Sequence, residues 1–427
     1  MRFAYESGFK RPPTAAVEQR RSRSGGPSRG PSRGGPRGGG RPERSSGGRG
    51  GKRGFAEMNV DINKLINRAS TPEEVEAYVS EHTFGDFAID ERLKANIAAK
   101  GYLIPTPIQD QAIPHILKGH DMVGLANTGT GKTAAFLIPL IDKVLKFRAL
   151  GQNERVLIMV PTRELAIQIE QEFFGFAKGL QLNSVTIVGG ANINPQIRVL
   201  RRNPAFVIGT PGRLKDVMER KELDLSDFAT VVLDEADRML DMGFINDMRF
   251  ILGFMRAKRH TLFFSATLSR DIEKLIGDFL NEPVRVSVKT RETSHTIDQD
   301  VVQVPAAQKF EKLAQMLKDP EMERVLVFGR TKHGVERLAK DLRRHGIKAE
   351  SIHGNKTHGA RQKALTLFKQ SHVTVLVATD VAARGLDISG VSHVINYDLP
   401  ASYEDYTHRI GRTGRAGKIG KALTFIS

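Results

Sequence analysis

Two clusters in this sequence carry residue types and spacings that could do chemistry together. The first is Ala126-Asn127-Thr128-Gly129-Thr130-Gly131-Lys132-Thr133, which follows an apolar run and opens a segment rich in Ala, Phe, Leu and Ile. Gly129 and Gly131 let backbone N–H groups wrap a polyphosphate at a helix N-terminus. Lys132 would neutralise the β and γ phosphates, and the Thr133 hydroxyl can ligate Mg²⁺. A Gly-rich strand-to-helix turn with no ligand is the plain alternative, and the flanking strand and helix patterns argue against it. Ala126 stands where the common form of this loop has its first Gly. The second cluster is Asp234-Glu235-Ala236-Asp237, which ends the apolar run Val231–Leu233. An acid at the C-terminal end of a parallel strand lies at the rim where ligands bind. There Asp234 is expected to hold Mg²⁺ through water, and Glu235 to orient and deprotonate an attacking water. The tetrapeptide alone is moderate evidence; downstream of the phosphate loop it is strong.

These clusters need rigid elements to hold them. From about residue 82, short β-branched runs alternate with amphipathic segments. The runs are Asp121–Ala126, Val156–Val160, Ser184–Val188, Phe206–Ile208, Val231–Leu233 and Thr261–Phe264. Continuous apolar strands separated by helices indicate a parallel sheet covered on both faces. The pattern lapses over Glu282–Gln299, which is polar and contains Pro283. It restarts with Val301–Val304, Arg324–Phe328, Lys348–Ile352, Val373–Ala378, His393–Asn396 and Ala422–Ile426. The expected architecture is two tandem α/β domains, at 82–283 and 300–427, joined by a linker at 284–299. Before them come a tail at 1–58 and a linker with short helices at 59–81, where Ile62, Leu65 and Ile66 have helical spacing and Thr71 can cap a second start. No chemistry is assigned to that piece.

Composition narrows the class. The chain has 427 residues, no Cys and no Trp, and a formal net charge of +17. Without Cys there is no disulfide scaffold, thiolate-bound zinc, iron–sulfur cluster or thiol nucleophile. No apolar run approaches the roughly 18–20 residues of a membrane helix, and the N-terminus lacks the apolar core of a secretory signal. The reading is a soluble, cytoplasmic protein without a membrane partner. Residues 1–54 hold 14 Lys+Arg against 3 Asp+Glu, a net +11 that leaves +6 for the other 373 residues. With 14 Gly, 6 Pro and neither Leu nor Ile, this segment cannot offset its ordering entropy and is expected to be disordered. A pI near 10 points to a polyanion, and nucleic acid is the obvious one. Ser32-Arg33-Gly34-Gly35 and Arg49-Gly50-Gly51 resemble RGG-type tails, which hold RNA loosely by charge and guanidinium stacking.

Over residues 84–427 the sequence resembles the DEAD-box ATP-dependent RNA helicases, of bacterial type, with the motifs in family order. Phe84 and Gly101-Tyr102-Leu103-Ile104-Pro105-Thr106-Pro107-Ile108-Gln109 look like the adenine-recognising Q motif. Gln109 offers the donor and acceptor that adenine N6 and N7 require, and Phe84 would stack on the base. Pro161-Thr162-Arg163-Glu164-Leu165-Ala166, Gly189-Gly190 and Thr210-Pro211-Gly212-Arg213 match the RNA-contacting motifs of the first domain. Ser265-Ala266-Thr267 matches the motif that couples nucleotide state to RNA grip, a role that the resemblance also gives Asp237, His408 and Arg409. Val327-Phe328-Gly329-Arg330-Thr331 resembles motif IV, Ala378–Asp387 motif V and His408–Arg415 motif VI. The resemblance implies that Arg412 and Arg415 are arginine fingers, that Asp387 lies near the ATP ribose, and that Arg330 and Thr379 touch RNA. His358 stands where the family usually has Gln, while Arg361 is retained.

The resemblance therefore implies two RecA-like domains with ATP and Mg²⁺ as cofactors. It implies an RNA-stimulated ATPase that locally unwinds short duplexes and remodels ribonucleoproteins. RNA would be held by phosphate and sugar, with little base reading, by a monomer. An ATP-gated RNA clamp or annealing scaffold with little turnover is the alternative from another class. Lys132, Glu235, Arg412 and Arg415 argue against it. A DNA helicase of the same superfamily is the second alternative, disfavoured by the Q motif and Pro161–Ala166.

Overall fold

The computed structural model describes residues 65–67, 78–127, 129–288, 297–383, 390–414 and 419–427. The Arg/Gly-rich tail, most of the 59–81 linker, Thr128, Asp387, Arg415 and the His358 side chain lie outside the described residues. So does 289–296, which is half of the expected interdomain linker.

The first lobe opens with α1 (Glu91–Ala99) and α2 (Pro107–Leu117). It continues as β1 (Met122–Leu125), α3 (Lys132–Ala149), β2 (Arg155–Met159), α4 (Arg163–Phe176), β3 (Ser184–Ile187), α5 (Ile193–Leu200), β4 (Phe206–Gly209) and α6 (Pro211–Glu219). It ends with β5 (Phe228–Leu233), α7 (Ala236–Asp241), α8 (Ile245–Gly253), β6 (His260–Ser265), α9 (Arg270–Phe279) and β7 (Val284–Ser287). The second lobe runs β8 (Ile297–Gln303), α10 (Lys309–Met316), β9 (Val325–Phe328), α11 (Lys332–Arg344), β10 (Ala349–Ile352) and α12 (His358–Lys369). β11 (Val375–Ala378), α13 (Asp380–Ala383), β12 (His393–Asn396), α14 (Tyr403–Ile410) and β13 (Gly420–Ile426) complete it.

The strands pair in the order β3-β4-β2-β5-β6-β1-β7 in the first lobe and β10-β11-β9-β12-β13-β8 in the second. Every pairing between these strands is parallel. Consecutive side chains of a strand point to opposite faces, so a sheet covered on both sides needs unbroken apolar strands. In β2, Val156 and Ile158 join one core cluster and Leu157 and Met159 the other. In β9, Val325 and Val327 face one way and Leu326 and Phe328 the other. The expected α/β class and its two parallel sheets are therefore present.

Two boundaries differ from the sequence reading. Val284–Ser287, placed in the linker, is strand β7 and pairs with β1 from Met122↔Val284 to Leu125↔Ser287. As an edge strand it buries Val286 and leaves Arg285 and Ser287 exposed, so it lacks the continuous apolar signature. β8 starts at Ile297 rather than Val301 for the same reason: it too ends a sheet, and Asp298 and Asp300 interrupt its apolar pattern.

Candidate functional site: a Gly-rich loop and acid pair facing the second lobe

The phosphate loop joins β1 to α3, as its sequence context implies. Gly131 is the N-cap of α3 in the left-handed region at φ +94°, a conformation that only Gly adopts without strain. A Cβ there would fall 2.4 Å from Gln109 Nε2. Lys132 is buried and its Nζ donates to the Ala126 carbonyl at 2.9 Å. Thr130 Oγ1 donates to the Asn127 carbonyl at 2.8 Å.

Gln109 is 1% exposed, and both ends of its amide are engaged within the protein. Oε1 accepts from the Thr106 backbone N–H at 2.9 Å, and Nε2 donates to the Gly131 carbonyl at 3.1 Å. The expectation of an amide open to adenine is thus not what the structure holds. Gln109 occupies the third position of α2, from which a Gln side chain reaches back to the N-cap N–H. The amide nitrogen at its other end then braces the Gly-rich loop at Gly131. Phe84 is buried, with its ring edge-on to Phe87 and Tyr102. It packs the first lobe's core.

The acid pair sits at the end of β5. Asp234 is 2% exposed, and burial pushes its carboxyl up to about 6 although Lys132 opposes the shift. Its Oδ1 accepts from the Glu235 N–H at 3.0 Å. Glu235 lies in the left-handed region at φ +51°, a strained placement for a side-chain-bearing residue that costs on the order of 1–3 kcal/mol. Asp237 engages the turn that follows β6. Its Oδ2 accepts from the Ala266 N–H at 2.9 Å, the Thr267 N–H at 3.0 Å and Thr267 Oγ1 at 3.2 Å. Burial acts to raise its pKa, but Lys132 and these hydrogen bonds outweigh it and hold the group ionised. Asp237 and the Ser265–Thr267 turn are therefore one rigid unit. Ser265 Oγ closes that turn on the Thr267 carbonyl at 2.7 Å.

A second group of cations gathers at the start of α4. Thr162 caps this helix, its Oγ1 accepting from the Leu165 N–H at 3.3 Å, and Pro161 is buried beside it. The Arg163 guanidinium lies over Gly190, where a Cβ would meet Nη1 at 1.8 Å. Gly190 also has φ +69°, so this loop needs Gly twice over. Arg213 donates to the Ala191 carbonyl at 3.3 Å, and Thr210 and Pro211 start α6 with exposed Gly212. Burial, then the neighbouring Arg361, lower the Arg163 pKa. Two helix N-termini and three guanidiniums with one buried acid make a site that favours an added anion. That acid, Glu164, pairs with Arg361 of the second lobe at 2.8 Å, both largely buried.

In the second lobe, Arg409 points inward. It grips Asp380 with two nitrogens, donates to the Asn396 side chain and the Asp398 carbonyl, and stacks over Phe328. The resemblance implies a role for it in coupling nucleotide state to RNA grip. The structure gives it a tie between α14 and α13, because Asp380 and the β12 end together neutralise it. His408 does face the other lobe: its Nδ1 lies 3.2 Å from Arg238 Nη2, just after the acid pair. Arg412 is buried and lines one small cleft with His408, Asp380 and Asp405. Arg330 is exposed, its N–H donating to Asp398 at 2.8 Å. Thr379 follows β11, its carbonyl accepting from the Ala382 and Ala383 N–H groups.

The chain matches the DEAD/DEAH box helicase family over 106–275 and the helicase conserved C-terminal domain over 308–417. It is 46% identical over 346 residues to the DEAD-box ATP-dependent RNA helicase CshA of Bacillus subtilis (strain 168), spanning 81% of this chain and 69% of that one. The chain belongs to the DEAD-box ATP-dependent RNA helicase family. The ATP-dependent RNA helicase CshA of Listeria monocytogenes is likewise 46% identical, over 80% of this chain and 66% of its own length. The chain thus spans about two thirds of the curated relatives it matches. Among solved structures, Saccharomyces cerevisiae Dbp5 bound to RNA and ADP BeF3 has a TM-score of 0.71 at 29% identity, covering 81% of this chain and 89% of that one. The two lobes are thus the tandem RecA-like domains of this DEAD-box family. Among the described residues no helix is long and apolar enough to cross a membrane.

Proposed function

We propose that this DEAD-box chain is an RNA-stimulated ATPase that couples ATP binding and hydrolysis to local RNA duplex unwinding and ribonucleoprotein remodelling. The observation that carries this reading is the meeting of two half-sites. The loop and acid pair lie in one lobe, and the helix bearing His408 approaches Arg238 from the other. Lys132 is placed to exchange the Ala126 carbonyl for a phosphate oxygen. Glu235, set apart from Asp234 by its strained backbone, is placed to accept a proton from an attacking water. Arg412 and Arg415 would add positive charge to the leaving phosphoryl group. Lys132, Gly129, Thr130 and Thr133 would hold the polyphosphate and Asp387 the ribose.

Thr133 and Asp234 fit Mg²⁺. They present a hydroxyl and a buried carboxylate, hard oxygen donors of the kind that share Mg²⁺ with phosphate and water. Bound there, the ion would neutralise charge on the β and γ phosphates. RNA would lie along Pro161, Thr162, Arg163, Gly190, Thr210, Pro211, Gly212 and Arg213, with Arg330 and Thr379 from the second lobe. These groups address phosphate and sugar, so recognition is largely independent of sequence. Such a monomer would work in the cytoplasm.

The test is phosphate release with and without RNA, against matched DNA. Strong stimulation by RNA and weak stimulation by DNA are expected. Equal rates with and without RNA would overturn the reading.

A further inference from the structure

The segment around Leu65 precedes both regions that match the family models, and no motif runs through it. It is nevertheless built into the second lobe. Leu65 is fully buried in a small cluster with Ile297, Tyr406, Ile410 and Ala422. Tyr406 and Ile410 belong to α14, the helix that carries His408 and Arg409 and leads into Arg412. The other two members are the first residue of β8 and Ala422 of β13. Leu65 is therefore the fifth side of the seat on which α14 rests, and this cluster is separate from the two that sandwich the lobe's sheet.

Polar contacts hold the segment in register. Asn67 forms an antiparallel bridge with Gln299 of β8, with N···O distances of 3.0 and 2.7 Å in the two directions. The Tyr406 hydroxyl donates towards Gln299 Oε1 at 3.0 Å and the Leu65 carbonyl at 3.4 Å. Burial pushes this phenol up to about 12, so it remains a donor at any working pH. Further along, the same chain is bound to the first lobe's nucleotide side. Asp110, next to Gln109 on α2, accepts from Tyr78 Oη at 2.6 Å, from the Glu81 N–H at 2.8 Å and from His82.

We propose that Leu65 and Asn67 are positioning residues for the motif VI helix, setting where His408 and Arg412 stand when the two half-sites meet. The proposal rests on the ATPase reading above. A cation displaced by on the order of 1 Å can cost about 100-fold in rate, so a loosened α14 seat should act on turnover. It should leave nucleotide binding alone, because the loop and acid pair are in the other lobe.

The test uses the full chain with Leu65→Ser, Leu65→Met and, separately, Asn67→Pro. The proline removes the N–H that bonds Gln299 without touching the core. The readouts are RNA-stimulated kcat, the KM for ATP, affinity for a fluorescent ADP analogue and the melting temperature. Leu65→Ser and Asn67→Pro should lower kcat by about tenfold or more, within the scale set by misplacement, with KM and ADP affinity within about twofold. Leu65→Met should restore most of the rate, since Met fills a Leu site with little loss. Wild-type kcat in both disrupting variants would overturn the proposal. So would a parallel fall of kcat, ADP affinity and melting temperature in both, which would mark a merely structural role. A wild-type protein without RNA-stimulated turnover would instead sink the ATPase reading itself.

Discussion

Set side by side, the two lobes share one topology and divide the chemistry. The order β3-β4-β2-β5-β6-β1 of the first overlays β10-β11-β9-β12-β13-β8 of the second. By position, β1 corresponds to β8. β1 is followed by the Gly-rich loop and Lys132; β8 is followed by Val304, Pro305 and a short 3₁₀ turn with no loop for phosphate. β1 is covered on its outer side by β7, whereas the same side of β8 is met by Asn67. The first lobe holds a site whose parts are already fixed: Gln109 on Gly131, Lys132 on Ala126, Asp237 on the Ser265–Thr267 turn. The second contributes charges on elements braced from within, as Arg409 is by Asp380. The pairing teaches that one copy of the fold carries the Gly-rich loop and acid pair, and that the other meets it through His408 at Arg238.

The sharpest division is tested at Glu235. Glu235→Gln should keep ATP binding, because the loop and Asp234 are untouched. It should lose turnover by about 10²–10⁴-fold, the scale of a general base. Phosphate release and RNA affinity in the presence of ATP check this, and the variant should accumulate an RNA-bound state. Wild-type turnover would remove Glu235 from the reaction.

The next effect belongs to the contact between lobes. Arg361→Ala leaves Glu164 buried and unpaired, and breaking a buried pair in this way costs about 3–5 kcal/mol. RNA-stimulated turnover should fall steeply, while ADP binding to the first lobe stays near wild type. The double variant Arg361→Gln with Glu164→Gln carries no buried unpaired charge and should recover part of the rate. No recovery would mean that Arg361 acts on RNA alone.

Gln109 separates two duties within the first lobe. If it only read adenine, Gln109→Ala would weaken ATP and spare GTP. Because its amide also braces Gly131, both nucleotides should lose affinity. With both ends of the amide engaged on Thr106 and Gly131, the two losses should be similar. Titrating both nucleotides checks this; an untouched GTP affinity would remove the brace.

These cases show what the sequence could and could not convey. Unbroken apolar strands announced both sheets, and local residue order placed the Gly-rich loop after β1 and the acid pair after β5. The edge strand β7 was missed, since it buries one face and reads as polar chain around Arg285 and Ser287. Side-chain direction was also out of reach: nothing local distinguishes an outward Arg409 from one drawn in by Asp380, or an open Gln109 from one held at Gly131. The same holds for Glu235 at φ +51° and for Leu65, whose partners Ile297, Tyr406, Ile410 and Ala422 lie more than 200 residues away.

Acid should act on the two lobes in different windows. In the first, burial lowers the His260 pKa to about 4 from an ordinary 6.5. A depressed histidine gives stability that is present above 6.5 and lost as pH falls towards 4, since the unfolded chain takes the proton first. In the second, the Ser351 hydroxyl, followed by His353 and Lys356, holds Glu336 down at about 2 from 4.5. Its contribution is present above 4.5 and fades only as pH falls towards 2. Denaturant titrations at pH 7 and 5 should therefore show a loss that His260→Gln flattens and Glu336→Gln does not. Equal sensitivity in both variants would break the contrast.

The smallest effect concerns residues 1–54, which carry +11 and none of the assigned site residues. Their deletion should leave the ATPase rate at saturating RNA nearly unchanged, and it spares Leu65 and Asn67. The RNA concentration for half-stimulation should rise. For single strands, the slope of log affinity against log salt falls by about 0.7 for every phosphate the protein no longer neutralises, so even a few would register. Screening already weakens such charge pairing at high salt, so the difference between full-length and shortened chains should shrink there. A tail that only aids solubility gives the same RNA dependence at every salt concentration. Titrating RNA at two ionic strengths separates these outcomes. Unchanged half-stimulation at low salt would end the tether role, and a lost maximal rate would place part of the catalytic apparatus in the tail.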